Sequence, residues 1–210
     1  MQIKQFALDI SGSELTEDWR LTYNMPVRSP VPMVLKSPTR PARLMQWGTE
    51  SKMGFLFNAR SETMAEKPMW KEATTRRRCL LLADGFFEFE TVGRTKVAHY
   101  FSVPDRPVFC IAGIWLPAAA DQPDRCVMVT NEPNPLVARF HDRMPTILSP
   151  EAAREWLGDE PLPAEALARL CQPYPAGQMT EWRSPPEVNS HAYQDPAAIL
   201  PWKPEPDLFG

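Results

Sequence analysis

The 210-residue chain lacks the features of several large protein classes. No apolar run approaches the roughly 20 residues that cross a bilayer, and no apolar core with a cleavage site follows the N-terminal Met1. The formal net charge is only −3, so there is no overall attraction to nucleic acid. These absences argue against a membrane protein, a secreted protein and a histone-like binder. We therefore expect a cytoplasmic protein that does not associate with membranes.

Cysteine is scarce as well, and its four occurrences are scattered. Cys79, Cys110, Cys126 and Cys171 form no CxxC pair and have no ligand-like histidine beside them. Such spacing favours free, mostly buried thiols over a disulfide or a metal site. The pattern suits a reducing cytoplasm, and we expect neither a metal nor another cofactor.

Basic residues concentrate near the middle of the chain. Arg76, Arg77 and Arg78 are followed closely by Arg94 and Lys96. The cluster is either a local groove for an anionic polymer or an ordinary solvated face, and the sequence alone leaves both open.

The segments between turns are short. The 24 prolines cluster at 26–41, 161–175 and 185–206, which favours short elements joined by fixed turns. Segments rich in β-branched or aromatic residues and bounded by Gly, Pro or Asp predict strands at 43–47, 54–58, 79–83, 86–90, 98–103, 108–115 and 126–130. Helix-start signals and apolar stripes predict helices at 64–73, with a break at Pro68, and at 135–140, 151–157 and 163–171.

This order of elements predicts an α+β protein. We expect a strongly bent mixed or antiparallel sheet, or a partial β-barrel, flanked by a few short helices. The length fits a single domain over residues 1–200, followed by a Pro-rich C-terminal tail over 201–210.

The strand at 86–90 carries a candidate acid–base group. Phe86 and Glu88 share one face of the strand, and Phe87 and Phe89 share the other. A carboxylate among these rings is expected to be desolvated, which raises its pKa toward the range useful for proton transfer. The competing interpretation is a glutamate at a strand edge in water.

His141 is a second candidate, because it follows the predicted 135–140 helix. The negative end of the helix dipole favours a protonated imidazole there, and Asp142 and Arg143 come next. The alternative is a structural histidine that caps backbone carbonyls.

A third candidate group begins at Asn58. Asn58 and Arg60 project to the same side of an extended strand, where an amide can orient a sugar and a guanidinium can clamp a phosphate. Glu62 repeats the spacing and could instead neutralise Arg60 internally. Trp47 could stack on bases, although a buried core tryptophan is the more common role.

Several motifs together give a resemblance to a known family. The chain resembles the SRAP family, the SOS response-associated peptidase-like proteins that process abasic sites in DNA. The matching segments occur in the family's order over residues 20–160, and they are Tyr23-Asn24, Val31-Pro32, Gln46-Trp47-Gly48, Asn58-Ala59-Arg60-Ser61-Glu62-Thr63, Arg78-Cys79-Leu80, Ala83-Asp84-Gly85-Phe86-Phe87-Glu88, Ala112-Gly113-Ile114-Trp115 and His141-Asp142-Arg143-Met144-Pro145.

The resemblance implies recognition of single-stranded DNA, or of a junction, that carries an abasic site. It implies that Asn58 orients the sugar. Glu88 would assist proton transfer during imine formation and ring opening, and His141 would be the second acid–base group. The residues that it implies for DNA binding are Arg60 and Arg143, on flanking phosphates, and Trp47, near displaced bases.

The family pattern also implies a cysteine directly after the initiator methionine. Its amine and thiol would trap the ring-opened sugar as a thiazolidine, which is a DNA–protein crosslink. Gln2 stands at that position, so we do not expect the thiazolidine. The amine of Met1 or of Lys4 could still form a reversible Schiff base. We therefore expect a monomer that binds abasic or single-stranded DNA in the DNA damage response.

Two other functions stay open at this point. A non-enzymatic regulatory or interaction protein could retain the fold without the chemistry. A peptidase using Glu88 and His141 is disfavoured, because no nucleophile motif and no metal-ligand spacing is evident.

Overall fold

The computed structural model describes residues 5, 7, 9, 22–35, 42–118 and 122–203. From residue 22 onward, the described part of the chain has three α-helices: α1 (Pro68–Arg76), α2 (Pro150–Trp156) and α3 (Ala164–Leu170). The strands are β1 (Pro30–Leu35), β2 (Ala42–Trp47), β3 (Thr49–Ser51), β4 (Gly54–Leu56), β5 (Asn58–Arg60), β6 (Arg78–Ala83), β7 (Phe86–Val92), β8 (Thr95–Ser102), β9 (Phe109–Leu116), β10 (Arg125–Asn131), β11 (Met144–Pro145), β12 (Ile147–Leu148) and β13 (Thr180–Arg183). None of the helices just named is long and apolar enough to cross a membrane.

The strands of the large sheet close into a ring. β2, β1, β6 and β9 pair antiparallel in that order. β10 then joins the two ends, antiparallel to β9 and parallel to β2. Beyond the ring, β5 pairs parallel to β10, while β11 and β12 pair with β10 and β9. The predicted α+β class, with a strongly bent mixed sheet or partial barrel and a few short helices, is confirmed.

Both faces of the curled sheet are buried. Successive side chains of a strand point to opposite faces, so each strand contributes to two apolar clusters. On β6, Leu80 and Leu82 pack in one cluster, and Cys79 and Leu81 pack in another. The helices cover the first cluster, to which they contribute Trp70, Ala73, Ala153, Trp156, Leu167 and Leu170. Strands buried on both faces appear in the sequence as nearly continuous apolar runs, which made β6 and β9 easy to predict.

A second sheet covers the other face. It contains β7, β8 and β13, and a tight turn with Gly93 at φ +62° joins β7 to β8. Phe86 and Phe101 stack across the two strands and pack in the cluster that holds Leu81 and Cys79. The register of this hairpin places Glu88 directly opposite His99.

Two differences from the sequence-based expectation involve prolines. β1 was not predicted, because Pro30 and Pro32 indicate loops. The strand tolerates both prolines because β6 pairs with it only from Met33 onward, which leaves one edge of its first half without a partner. Pro68 does not break a helix but begins α1, where its missing N–H group has no helical partner to lose.

The basic cluster is not a single solvated face. Arg78 is 6% exposed, and its guanidinium donates to five carbonyl oxygens at the ends of α1 and α2 and just beyond α2. A cation is favourable there because helix C-termini carry partial negative charge. Arg77 is paired with Glu72. Arg78 is therefore a structural residue that joins two helices to β6.

All four cysteines are free and buried, as predicted. Burial raises the pKa of each thiol, to about 12 in Cys110 and Cys171. The thiolate is the nucleophilic form, so these side chains are unreactive near neutral pH. The predicted boundary at residue 200 stays a prediction, and the backbone N–H of Trp202 donates to Arg183 O of β13.

Candidate functional site

Glu88 lies in the middle of β7, with its side chain only 17% exposed. The neighbouring rings are fixed by aromatic contacts: Phe86 stacks on Phe101 at 5.0 Å between centroids, and Phe87 meets Tyr100 in a tilted arrangement at 5.1 Å. Burial raises the pKa of Glu88 to about 7, and the nearby Asp142 also raises it, whereas His141 opposes the shift. A carboxyl group with this pKa can both accept and donate a proton near neutral pH.

His141 lies beside this carboxyl group. Its Nδ1 is 3.8 Å from Glu88 Oε2, and the backbone N–H of Arg143 donates to the same Nδ1 at 3.0 Å. That bond places the proton of the neutral ring on Nε2. Arg143 O lies 3.1 Å from Nδ1 and can accept when Nδ1 is protonated. Both protonation states of the imidazole therefore have a hydrogen-bond partner in this loop.

Hydrogen bonds to the Asn134 side chain hold the loop that carries His141. The Asn134 side chain is buried, and its Oδ1 accepts from the backbone N–H groups of Leu136 and Val137 at 3.0 Å. This cap starts the short 3₁₀ turn Val137–Arg139, in place of the longer helix that the sequence predicted at 135–140. The polar cap fixes the turn, and the turn presents His141 to Glu88.

A cavity of about 300 Å³ opens beside Glu88. Its walls are mainly apolar, and Trp47, Asp84, Tyr100 and Glu88 are among the residues that line it. Burial raises the pKa of Asp84 as well. Gly85 is required at this point, because a Cβ there would lie 2.1 Å from Cζ of Tyr100. A mostly apolar cavity with a few convergent polar groups is the usual form of a small-ligand site.

Asn58 and Arg60 lie on β5, at the edge of the same region. Both are exposed, while Ala59 between them is buried in the cluster under the helices. Asn58 pairs in register with Met128, which lines the cavity. Among the described residues, no carboxylate pairs with Arg60, so its guanidinium is available to an anion.

Arg143, in contrast, is already occupied. Its Nη1 and Nη2 donate to the two carboxylate oxygens of Glu62 at 2.8 and 2.9 Å, and Nη2 also donates to Thr130 O at 2.6 Å. The Arg143 hydrogen bond holds the pKa of Glu62 below its usual range. The sequence left open whether Glu62 neutralises Arg60; the structure shows that it pairs with Arg143 instead.

Trp47 belongs to an aromatic group at the mouth of the cavity. Its Nε1–H donates to Phe57 O at 3.0 Å, and the two rings meet edge to face at 6.1 Å. Phe57 is 39% exposed and stacks on Phe55, which the Arg28 guanidinium covers at 3.8 Å. An exposed ring with half-buried rings and a cation beside it is a surface on which unpaired bases can stack.

The sequence missed three groups at this site: Asp84, the Glu62–Arg143 pair and His99. His99 could have been found by placing the β7–β8 turn at Gly93 and Arg94, since that register puts it opposite Glu88. The candidate amines Met1 and Lys4, and Gln2 between them, lie outside the described residues. Within the described ranges, no group of three or more acidic, histidine or cysteine side chains could hold a metal.

Comparison with known families shows where this arrangement belongs. The SOS response associated peptidase (SRAP) family matches residues 2–191. The chain is a member of the SRAP family. It is 32% identical over 158 residues to the abasic site processing protein YoqW of Bacillus subtilis, covering 73% of this chain and 70% of that one. It is 36% identical over 107 residues to the abasic site processing protein YedK of Escherichia coli, covering 50% of this chain and 48% of that one.

Solved structures share this fold. A protein from Bacteroides thetaiotaomicron superposes with a TM-score of 0.74 at 24% identity, covering 90% of this chain and 87% of the other. A protein from Bordetella bronchiseptica gives a TM-score of 0.72 at 22% identity, covering 87% and 95%. At these identities the likeness establishes the fold alone.

Proposed function

We propose that this SRAP protein recognises an abasic site in single-stranded DNA and reacts with it, at most, through a reversible Schiff base. The observation that carries the proposal is the pair formed by Glu88 and His141, 3.8 Å apart at the edge of a cavity, with the pKa of Glu88 near 7. Relatives named abasic site processing proteins support the same substrate class.

The chemistry needs a proton donor and an amine. The ring-opened abasic sugar carries an aldehyde, which a primary amine attacks to give a carbinolamine. Glu88 in its neutral form donates a proton to the leaving hydroxyl, water departs, and the protonated imine forms beside the Glu88 carboxylate. Hydrolysis returns the aldehyde by the reverse steps. The amine is that of Met1 or Lys4, and Gln2 supplies no thiol to convert the imine into a thiazolidine.

Arg60 is the better of the two candidate phosphate clamps. Arg60 is exposed and has no carboxylate partner in the described part of the chain. The guanidinium of Arg143 already donates hydrogen bonds to Glu62 and Thr130 O. We propose that Asn58 orients the sugar, that Trp47 lies near the displaced bases, and that Arg143 contacts a phosphate only after it releases Glu62.

The test uses a single-stranded oligonucleotide with one abasic site and a matched intact oligonucleotide. Fluorescence anisotropy measures affinity, and borohydride reduction traps any imine. We expect preferential binding of the abasic strand and a trapped adduct that Glu88→Gln slows by about 10²-fold, typical of a lost general acid. Glu66→Gln, which changes an exposed carboxylate elsewhere, is the control.

Equal affinity of the wild-type protein for the abasic and intact strands would refute the proposed recognition. Preferential binding without any trapped adduct would refute only the Schiff base. Lys4→Ala separates the two amines, because trapping that survives the substitution assigns the reaction to the amine of Met1.

The occupied state of Arg143 favours one alternative, a protein that keeps the fold for regulation or interaction without binding DNA. That alternative predicts no measurable affinity for either oligonucleotide, with or without the substitution Arg60→Ala. A DNA-binding protein that loses one phosphate contact instead shows a shallower salt dependence.

A further inference from the structure

His99 is a buried histidine that lies beside the site without touching the cavity. Its side chain is 10% exposed, and its Nδ1 lies 2.6 Å from Glu181 Oε1 on the neighbouring strand β13. Its Nε2 has no hydrogen-bond partner and faces Glu90 Oε2 at 3.5 Å. A buried imidazole between two carboxylates is strongly held in place, because moving it would break a short charge-assisted hydrogen bond.

The His99 ring supports the residue that precedes His141. The rings of His99 and Phe140 are in contact, with centroids 4.0 Å apart and planes tilted by 32°, and Phe101 meets Phe140 edge to face at 5.7 Å. On its exposed side, the Arg139 guanidinium lies 5.0 Å from the same ring. Phe140 is therefore clamped, and the backbone direction at His141 is set by that clamp.

The same strands carry the carboxyl group that His141 meets. His99 is directly opposite Glu88 in the β7–β8 register, so both side chains leave the sheet on one face. Phe140 and His141 lie over that face, with His141 Nδ1 3.8 Å from Glu88 Oε2. The support for His141 and the partner of His141 are thus neighbours on one rigid hairpin.

We propose that His99, held by Glu181, is a positioning residue that keeps His141 against Glu88 by supporting Phe140. The inference rests on the proposed acid–base roles of Glu88 and His141, but it concerns their geometry rather than the substrate. Besides the two carboxylates described above, the groups that face His99 are Glu88 across the strand, Arg183 in register on β13, and His141 beyond Phe140.

The test follows the three imidazoles of the chain by long-range ¹H–¹⁵N spectroscopy across pH, with no DNA present. Because His141 Nδ1 lies 3.8 Å from Glu88 Oε2, the wild-type His141 ¹⁵N signal should show an inflection as Glu88 titrates, and Glu88→Gln should remove it. We expect His99→Ala to remove the inflection as well. His99→Phe keeps a ring under Phe140 and should retain it, and Lys96→Ala, at the exposed end of the same strand, is the control.

Phe140→Ala provides an independent check if His99→Ala does not fold. This substitution removes the ring through which His99 supports His141. It should give the same loss of the inflection, and the double variant His99→Ala/Phe140→Ala should show no further change. An inflection that persists in Phe140→Ala or His99→Ala, or is lost in Lys96→Ala, would overturn the proposal.

A second readout connects the geometry to the chemistry. In the borohydride assay, His99→Ala should lower the trapping rate by about 10-fold at pH 7 while leaving the affinity for abasic DNA within about 2-fold. A loss of affinity equal to the loss of rate would indicate a purely structural role and overturn the proposal. If the wild-type protein traps no adduct, the Schiff-base proposal fails while the spectroscopic test of His99 stands.

Discussion

Replacing Glu88 with glutamine should stabilise the protein at neutral and alkaline pH. The native pKa of about 7 lies above the ordinary value of 4.5 because the side chain is desolvated. The folded state therefore binds more protons than the unfolded state between these values, and the stability of the wild-type protein falls as pH rises from about 4.5 to 7. Above pH 7 this loss is complete.

The size of the effect follows from the shift. About 2.5 pKa units at 1.36 kcal/mol each gives a stability loss of about 3 kcal/mol. Glutamine has nearly the shape of the neutral carboxylic acid and carries no charge to desolvate. Glu88→Gln should therefore match the wild type at pH 4.5 and exceed it by up to about 3 kcal/mol at pH 8.

Urea unfolding at pH 4.5, 5.5, 7 and 8 measures this difference directly. Comparing the two proteins at each pH cancels the groups that do not interact with Glu88; Asp84, whose pKa is also raised by burial, is not among the groups that shift the pKa of Glu88. The exposed Glu66→Gln is the control and should show no gain. A stability difference between wild type and Glu88→Gln that stays constant across this range would refute the burial argument.

Three further predictions concern single contacts. Gly85→Ala places a Cβ 2.1 Å from Tyr100 Cζ and should lower the free energy of unfolding by about 2 kcal/mol in urea titrations, where no loss would contradict the close approach. Arg143→Lys keeps the charge but not the fork that binds Glu62, and the same titrations should show a loss of about 1 kcal/mol; unchanged stability would mean that the bidentate pair contributes nothing. Arg60→Ala should leave stability unchanged and reduce the slope of log affinity against log salt by about 0.7 for single-stranded DNA, and an unchanged slope would exclude a phosphate contact at Arg60.

Much of the fold was predictable because local patterns determine it. Leu80 and Leu82 alternate with Cys79 and Leu81 in a run that is apolar throughout, and burial on both sheet faces requires that pattern. Ser149 caps α2 through a hydrogen bond from the Ala152 N–H, as its sequence context indicated. β1 was missed because tolerance of its prolines depends on where β6 begins to pair. The residue at which a neighbouring strand begins to pair is set by the tertiary structure, so it leaves no signal in the local sequence.

The candidate site likewise combines features that the local sequence predicts with features that only the tertiary structure determines. The alternation around Glu88 predicted its faces, which depend on the strand alone, and the burial that raises its pKa; the contributions of Asp142 and His141 to that pKa come from a segment distant in sequence. The partner of Glu62 was not predictable, because Arg143 is distant in sequence and reaches it only through the pairing of β5 with β10. His99 was missed for the same reason, because its position relative to Glu88 and Glu181 depends on the register of a hairpin and on a third strand.

The position of β10 in the closed ring has a consequence for folding. Its first residues pair with Gln46 and Trp47 of β2, and its last with β5 and β11, so one short segment joins distant parts of the chain. Such non-local pairing requires large loops to close before the contacts form, which slows folding. During synthesis, β2 and β9 have no partner at the open seam until Arg125–Asn131 emerges from the ribosome. We therefore expect chains that end before β10 to expose strand edges and aggregate.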